Sequence, residues 1–188
     1  MYALNLIIIL FYFILLIVSA WTDYKSGKIY NKNILIFLGI YFLIYVITYI
    51  VYMFINKGEI QFLNEKLLNS FIGFGVSFLI GFIFYILGIF KGGDSKLLAI
   101  VGLVAGINNL FDHFAIIMIV AGIAALYVLI KNKIFLKRLN RVVLYFKSLF
   151  LTMSFEKYTN ENDGIKFPFA VYVLIGEIIS YLYLYLRR

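Results

Sequence analysis

Two acidic residues stand out by their surroundings. Asp23 lies in the run Trp21-Thr22-Asp23-Tyr24-Lys25-Ser26-Gly27-Lys28-Ile29-Tyr30-Asn31, and Asp94 lies in Phe90-Lys91-Gly92-Gly93-Asp94-Ser95-Lys96-Leu97-Leu98-Ala99. Each follows a long apolar stretch, in a chain of 188 residues that holds only nine acids. Two carboxylates brought together in a partly dry site cannot both ionise comfortably, so one proton is shared between them. The ionised member can then activate a water while the protonated member polarises a carbonyl, chemistry that splits a peptide bond without a metal or a covalent intermediate. The diglycine Gly92-Gly93 removes side chains beside Asp94 and leaves room for an extended backbone. Taken singly these signals are weak: an aspartate among lysines at a membrane edge is usually solvated, and a diglycine is usually a turn.

Other chemistries are poorly supplied. There is no cysteine, which removes thiol nucleophiles, disulfides and cysteine metal sites, and the one histidine rules out a polyhistidine centre. We therefore expect no metal and no cofactor. The net charge of +8 and pI near 9.5 would suggest nucleic acid in a soluble protein. Here the cations flank apolar segments, where they set orientation and meet anionic lipid headgroups. No nucleic-acid partner is expected.

The elements that must position the two acids are membrane spans. Hydrophobic residues make up 64% of the chain and the mean hydropathy is +1.01, whereas an ordinary soluble domain is about 45–50% apolar. A span needs roughly 20 apolar residues. Six apolar segments are predicted: Ala3 to Trp21, Ile34 to Ile55, Leu67 to Phe90, a short one from Leu97 to Leu110, Phe114 to Ile130, and Phe167 to Leu186. The fold class is thus all-α, a single polytopic membrane domain over residues 1–188. The first segment lacks a basic region before it, and Lys25 and Lys28 follow it, so it reads as a retained helix and not a signal peptide. Gly73, Gly75, Gly81 and Gly88 in the third segment, with Gly102 and Gly106 in the fourth, would let helices approach closely.

With the amino terminus outside, 13 of the 17 cations fall on the inner side: three after the first segment, two after the third and eight from Lys131 to Lys166. The positive-inside bias favours that topology and puts Asp23 and Asp94 together at the cytoplasmic boundary. Between the fifth and sixth segments, Phe135, Leu139, Val142, Val143, Phe146 and Phe150 recur at steps of three and four, with Lys137, Asn140, Arg141 and Lys147 opposite. This predicts a basic amphipathic helix on the cytoplasmic leaflet, within a basic segment at about 131–166. A polar loop with Asn160-Glu161-Asn162-Asp163-Gly164 follows.

These features together resemble the prepilin and preflagellin (archaellin) peptidases, membrane aspartic proteases of the Gly-x-Gly-Asp type. Asp23 with Lys28-Ile29-Tyr30-Asn31 resembles the family's first catalytic segment, an aspartate followed by Ile-Pro-Asn. Gly92-Gly93-Asp94-Ser95-Lys96-Leu97-Leu98-Ala99 resembles the second. Lys166-Phe167-Pro168-Phe169-Ala170, followed by Leu174-Ile175-Gly176, resembles the opening of its last span. Tyr30 stands where the family usually has proline, and Lys91 stands at the first glycine of Gly-x-Gly-Asp. The cysteine-bearing insert of members that also methylate is missing, which makes the chain more similar to compact archaeal or minimal bacterial members. The resemblance implies that Asp23 and Asp94 are the catalytic pair. It also implies that Gly92, Gly93, Lys96 and Asn31 shape the loop or meet substrate, and that the partner is a pilin-like or archaellin precursor cut at the cytoplasmic face.

The remaining acids read differently. Glu177 lies within the sixth segment, where a carboxylate is costly, and is read as protonated or hydrogen-bonded to a neighbouring helix. Asp112 and His113 read as a solvated outer turn, and the 16 tyrosines and 20 phenylalanines as lipid-facing and interfacial. Two rival functions remain. An ion- or proton-coupled transporter would use Asp23, Asp94 and Glu177 at staggered depths, and a catalytically lapsed scaffold would tolerate the Tyr30 and Lys91 departures.

Overall fold

Hydrocarbon offers no hydrogen bonds to a peptide backbone, so a chain this apolar must satisfy its N–H and C=O groups within each segment, and helices result. A computed structural model of the chain describes residues 2–55, 60–87, 89–133, 135–136, 140, 143–144 and 167–187. Among them five helices are long and apolar enough to cross a membrane. They are α1 (Tyr2–Ser26), α2 (Asn31–Ile55), α3 (Ile60–Ile86), α4 (Gly92–Lys131) and α5 (Phe169–Leu186). The protein is an all-helical, multi-pass membrane protein. The amphipathic segment expected at about 131–166 falls largely outside the described residues.

One predicted boundary moves. The fourth and fifth together span α4, which is two helices that meet at Gly106, so the break predicted between Leu110 and Phe114 lies a few residues earlier. Gly106 has φ 69° and ψ 166°, a region essentially reserved for glycine. Hydropathy points instead to the polar residues that follow, Asn108, Asn109, Asp112 and His113, and so places the break too late.

Gly106 reverses the chain. Before it, Ser95 packs against Gly81, Gly102 against Gly73, and Gly106 against Asn69, so this half of α4 runs antiparallel to α3. After it the partners are on α5: His113 meets Glu177 and Tyr181, and Ile117 meets Gly176. Helix α5 starts beside Asp23 and Phe90, so position 176 lies nearer that end than position 181. The order 113 then 117 therefore heads back to the end where α4 began. The first half, Gly92 to Ala105, covers only about 21 Å at ~1.5 Å per residue, short of a full crossing. It is enclosed: Leu97, Leu98, Ile100, Val101 and Leu103 are all buried.

Between spans, lipid supplies no hydrophobic driving force, so close packing at small residues holds the helices together. A side chain on Gly73 would collide with the Gly102 carbonyl, and one on Gly102 with Ser77. Hydroxyls close these contacts: Ser77 Oγ donates to Gly73 O at 2.7 Å and Ser95 Oγ to Gly81 O at 2.7 Å. The outer faces carry leucine, isoleucine and phenylalanine toward the bilayer, such as Leu35, Phe54 and Leu79. Not every aromatic points outward. Tyr12, Phe37, Tyr41 and Tyr45 stack into a buried row joining α1 and α2.

Gly106→Ala is expected to destabilise the protein by about 1–3 kcal/mol from backbone strain, with more from the new methyl against Asn69. Gly122→Ala, on the same helix with nothing within 4 Å of the added carbon, is the control. Thermal unfolding midpoints in detergent compare them, and equal midpoints would show that Gly106 is not the turning point.

Candidate active site

Helix α1 stops just after Asp23. Gly27 adopts φ 66° and its N–H donates to Asp23 O at 2.8 Å, a left-handed glycine cap. The chain runs through Lys28, Ile29 and Tyr30 and turns into α2 as Asn33 N–H donates to Tyr30 O at 3.1 Å. The turn forms with tyrosine where the related proteins have proline. Helix α4 begins after Lys91, whose φ of −81° and ψ of 157° are ordinary extended backbone. Glycine is not required there, so the departure at Lys91 costs the loop nothing in backbone strain.

Both aspartates are buried at the same end of the bundle, Asp23 at 3% and Asp94 at 7% exposure, and they lie close enough for the charge of one to act on the other. Each is held by a backbone donor at the start of a helix. Asp94 occupies the first turn of α4, and its Oδ2 accepts the Lys91 N–H at 2.9 Å. Asp23 Oδ2 accepts the Ala170 N–H of α5 at 3.0 Å, across 147 residues of sequence. Helix N-termini carry partial positive charge and unpaired N–H groups, so both acids sit where an anion is stabilised. In each case Oδ1 is not used by these bonds.

The loop 27–31 lies directly on the start of α4. A side-chain carbon on Gly93 would stand 3.0 Å from Ile29 Cβ, whereas one on Gly92 would meet only Tyr85, at 3.7 Å. Gly93 is thus the glycine that contact demands. Lys91 Nζ reaches Gly27 O at 3.4 Å, and Lys96 Nζ donates to Asn31 Oδ1 at 2.9 Å. Phe90 stacks at 4.8 Å on Phe169, the first residue of α5. Asn31 and Lys96 therefore tie the two loops together, and both are exposed.

A family model for the type IV leader peptidase family matches residues 10–130, about two-thirds of the chain. The chain belongs to the type IV leader peptidase family. No curated protein and no solved structure matches it. The match to the leader peptidases takes in α1 through nearly all of α4, and hence both aspartates and the reversal at Gly106. Helix α5, which gives Asp23 its N–H donor, lies beyond it. The family is one of proteases, which sets the transporter aside as a reading of the fold.

One buried pair was not visible in the sequence. His113 and Glu177 are 2% and 1% exposed, with Nδ1 at 2.9 and 3.1 Å from the two carboxylate oxygens. His113 is therefore inside the bundle, not on a solvated turn. The turn reading fails because Asp112-His113 falls within α4, one face of which exposes Asp112 to Arg187 at 3.5 Å while the other buries His113. Glu177 is hydrogen-bonded to a neighbouring helix as expected. The pair lies at the level of Ile117 and Tyr181, away from Asp23 and Asp94. The Ala170 donor was also missed, because a backbone N–H has no residue signature; Phe167-Pro168-Phe169 was its only sequence trace.

Because the chain contains no native cysteine, the loop contact can be tested cleanly. Ile29→Cys with Gly93→Cys is expected to oxidise to an intramolecular disulfide, since losing the outer isoleucine carbons lets the two Cβ atoms ease apart from 3.0 Å into the bonded range of about 3.5–4.5 Å. Thiol labelling before and after reduction reads the result. Two thiols that stay free under oxidant would separate the loops.

Proposed function

We propose that this leader peptidase is an aspartic endopeptidase whose catalytic pair is Asp23 and Asp94, and that it removes the leader of a type IV pilin-like or archaellin precursor at the cytoplasmic face. The carrying observation is the burial of both carboxylates at one end of a leader-peptidase fold, each steadied by a helix N-terminus. The ion-relay reading wants acids at staggered depths, and these two share a depth.

One carboxylate takes a proton from water, whose oxygen adds to the scissile carbonyl carbon. The other gives its proton to the carbonyl oxygen. The tetrahedral diol then collapses: the carboxyl that took the water's proton gives it to the leaving nitrogen, the C–N bond breaks, and the other carboxylate takes a proton from a diol hydroxyl as the new carbonyl forms, so the pair again holds one proton. Burial strengthens these electrostatic effects by excluding water. The lysines near the site, Lys25, Lys28, Lys32, Lys91 and Lys96, support the cytoplasmic assignment through the positive-inside bias. A precursor whose hydrophobic helix lies in the bilayer would present its extended leader at this level, and Gly92 offers the backbone an approach free of bulk.

Asp23→Asn and Asp94→Asn are each expected to lower precursor cleavage by about three orders of magnitude or more, as loss of one member of a concerted pair does. Membrane insertion and the thermal midpoint should be retained. The assay is cleavage of a full precursor by the purified chain in detergent. Near wild-type cleavage by either variant would remove that residue from the mechanism.

A further inference from the structure

A well-formed cavity lies away from the aspartates. It measures about 680 Å³, within the range of small-molecule sites, roughly 300–1,000 Å³. Asn5 lines it, and Asn5 lies 18 residues before Asp23 on α1, about 27 Å away by the helical rise. The cavity therefore opens at the opposite end of the bundle, close to the far edge of the hydrocarbon layer.

Its polar lining is rich in donors. Lys66 Nζ reaches in from α3 and donates to Asn5 Oδ1. Tyr41 and Tyr45 of α2 line the cavity at 2% and 5% exposure, their hydroxyls cluster with that of Ser70, and neither makes a hydrogen bond of normal geometry to a described residue. Asn69 and buried Ser70 stand beside them, and the Asn69 carbonyl oxygen, unpartnered among the described residues, calls for a donor such as a headgroup hydroxyl. Buried hydroxyls without partners are costly, at about 1–3 kcal/mol each, so their presence in one cavity points to a ligand that accepts hydrogen bonds. His113 at the wall is already engaged through Nδ1 by Glu177. Among the lining residues Lys66 is thus the cation that sets the sign, and the group it suits is an anion of one charge with several oxygens.

The other walls are apolar: Ile8, Phe13, Val104 and Leu182. An ammonium and phenol hydroxyls beside aliphatic walls, at the depth of a lipid interface, match an amphiphile. We infer that this cavity binds the phosphodiester headgroup of an anionic phospholipid from the leaflet opposite the aspartates. The phosphate sits by Lys66, Tyr41 and Tyr45, and the first part of an acyl chain lies along Phe13 and Leu182. Lysine serves a phosphate as a compact point charge. Because five elements converge on the cavity, such a lipid would bridge α1, α2, α3, α4 and α5. The site is separate from the proteolytic chemistry and stands whether or not Asp23 and Asp94 are the catalytic pair.

The test uses the full chain, delipidated in a neutral detergent, with phosphatidylglycerol, phosphatidylcholine or free glycerol 3-phosphate added back and bound ligand read by native mass spectrometry. Phosphatidylglycerol should be retained over phosphatidylcholine. Lys66→Gln should weaken its retention about tenfold, the loss of one charge-assisted contact, and Lys66→Arg should restore most of it. Tyr41→Phe with Tyr45→Phe, which preserves shape, should weaken it severalfold. Leader cleavage in detergent should be unchanged in Lys66→Gln. Equal retention of phosphatidylglycerol by wild type and Lys66→Gln would overturn the proposal. Binding of glycerol 3-phosphate as tight as the lipid would overturn the lipid assignment in favour of a soluble phosphate.

Discussion

A carboxylate at the edge of an apolar bundle is tolerable only with hydrogen-bond donors, since burying an unpaired charge costs far more than a membrane helix can spare. Among the described residues, Asp23 and Asp94 meet that demand with backbone, not with arginine or lysine. The Ala170 N–H serves one and the Lys91 N–H the other. A lysine in direct contact would hold each acid permanently ionised. A backbone amide steadies the carboxylate while leaving it free to exchange a proton. The architecture follows from this need, because two helix N-termini must arrive at the end where α1 finishes. Helix α4 starts there, and α5 starts there as well.

The reversal at Gly106 shapes this arrangement. It divides α4 into an enclosed half against α3 and a returning half against α5. The returning half braces α5 through Ile117 against Gly176 and through the His113–Glu177 pair. That brace holds α5 along α1, where Phe13 meets Tyr181 and Asp23 meets Ala170. A buried pair such as His113–Glu177 adds little net stability, but breaking it leaves a lone polar group in the core. Its place in the chemistry-free middle of the bundle fits a role in fixing how α4 and α5 meet.

The spans themselves were legible because apolar length is the one signal a bilayer cannot disguise, and four of the six predicted segments correspond to separate helices. The other two are the halves of α4, and where they part was not legible, since Gly106 is one of 14 glycines and only its dihedral angles distinguish it. Asp23 and Asp94 could be picked out because acids are scarce and each followed a span. Their hydrogen-bond donors could not, being main-chain atoms. His113 was misplaced because a polar pair between two apolar runs looks like a turn, and helical phase alone decides that His113 faces inward while Asp112 faces out. The departures at Tyr30 and Lys91 looked serious in sequence. In the structure Lys91 needs no glycine geometry, and Gly93, pressed against Ile29, is the position where a side chain would crowd its neighbour.

The claim that matters most is that one proton is divided between Asp23 and Asp94 during peptide hydrolysis, and the pH dependence of kcat/KM for precursor cleavage addresses it. A dyad requires one ionised and one protonated member, so the account gives a bell-shaped profile. Activity rises as the first carboxyl loses its proton and falls as the second does. A profile with a single limb, or one that stays flat through the range in which carboxyl groups titrate, would contradict it.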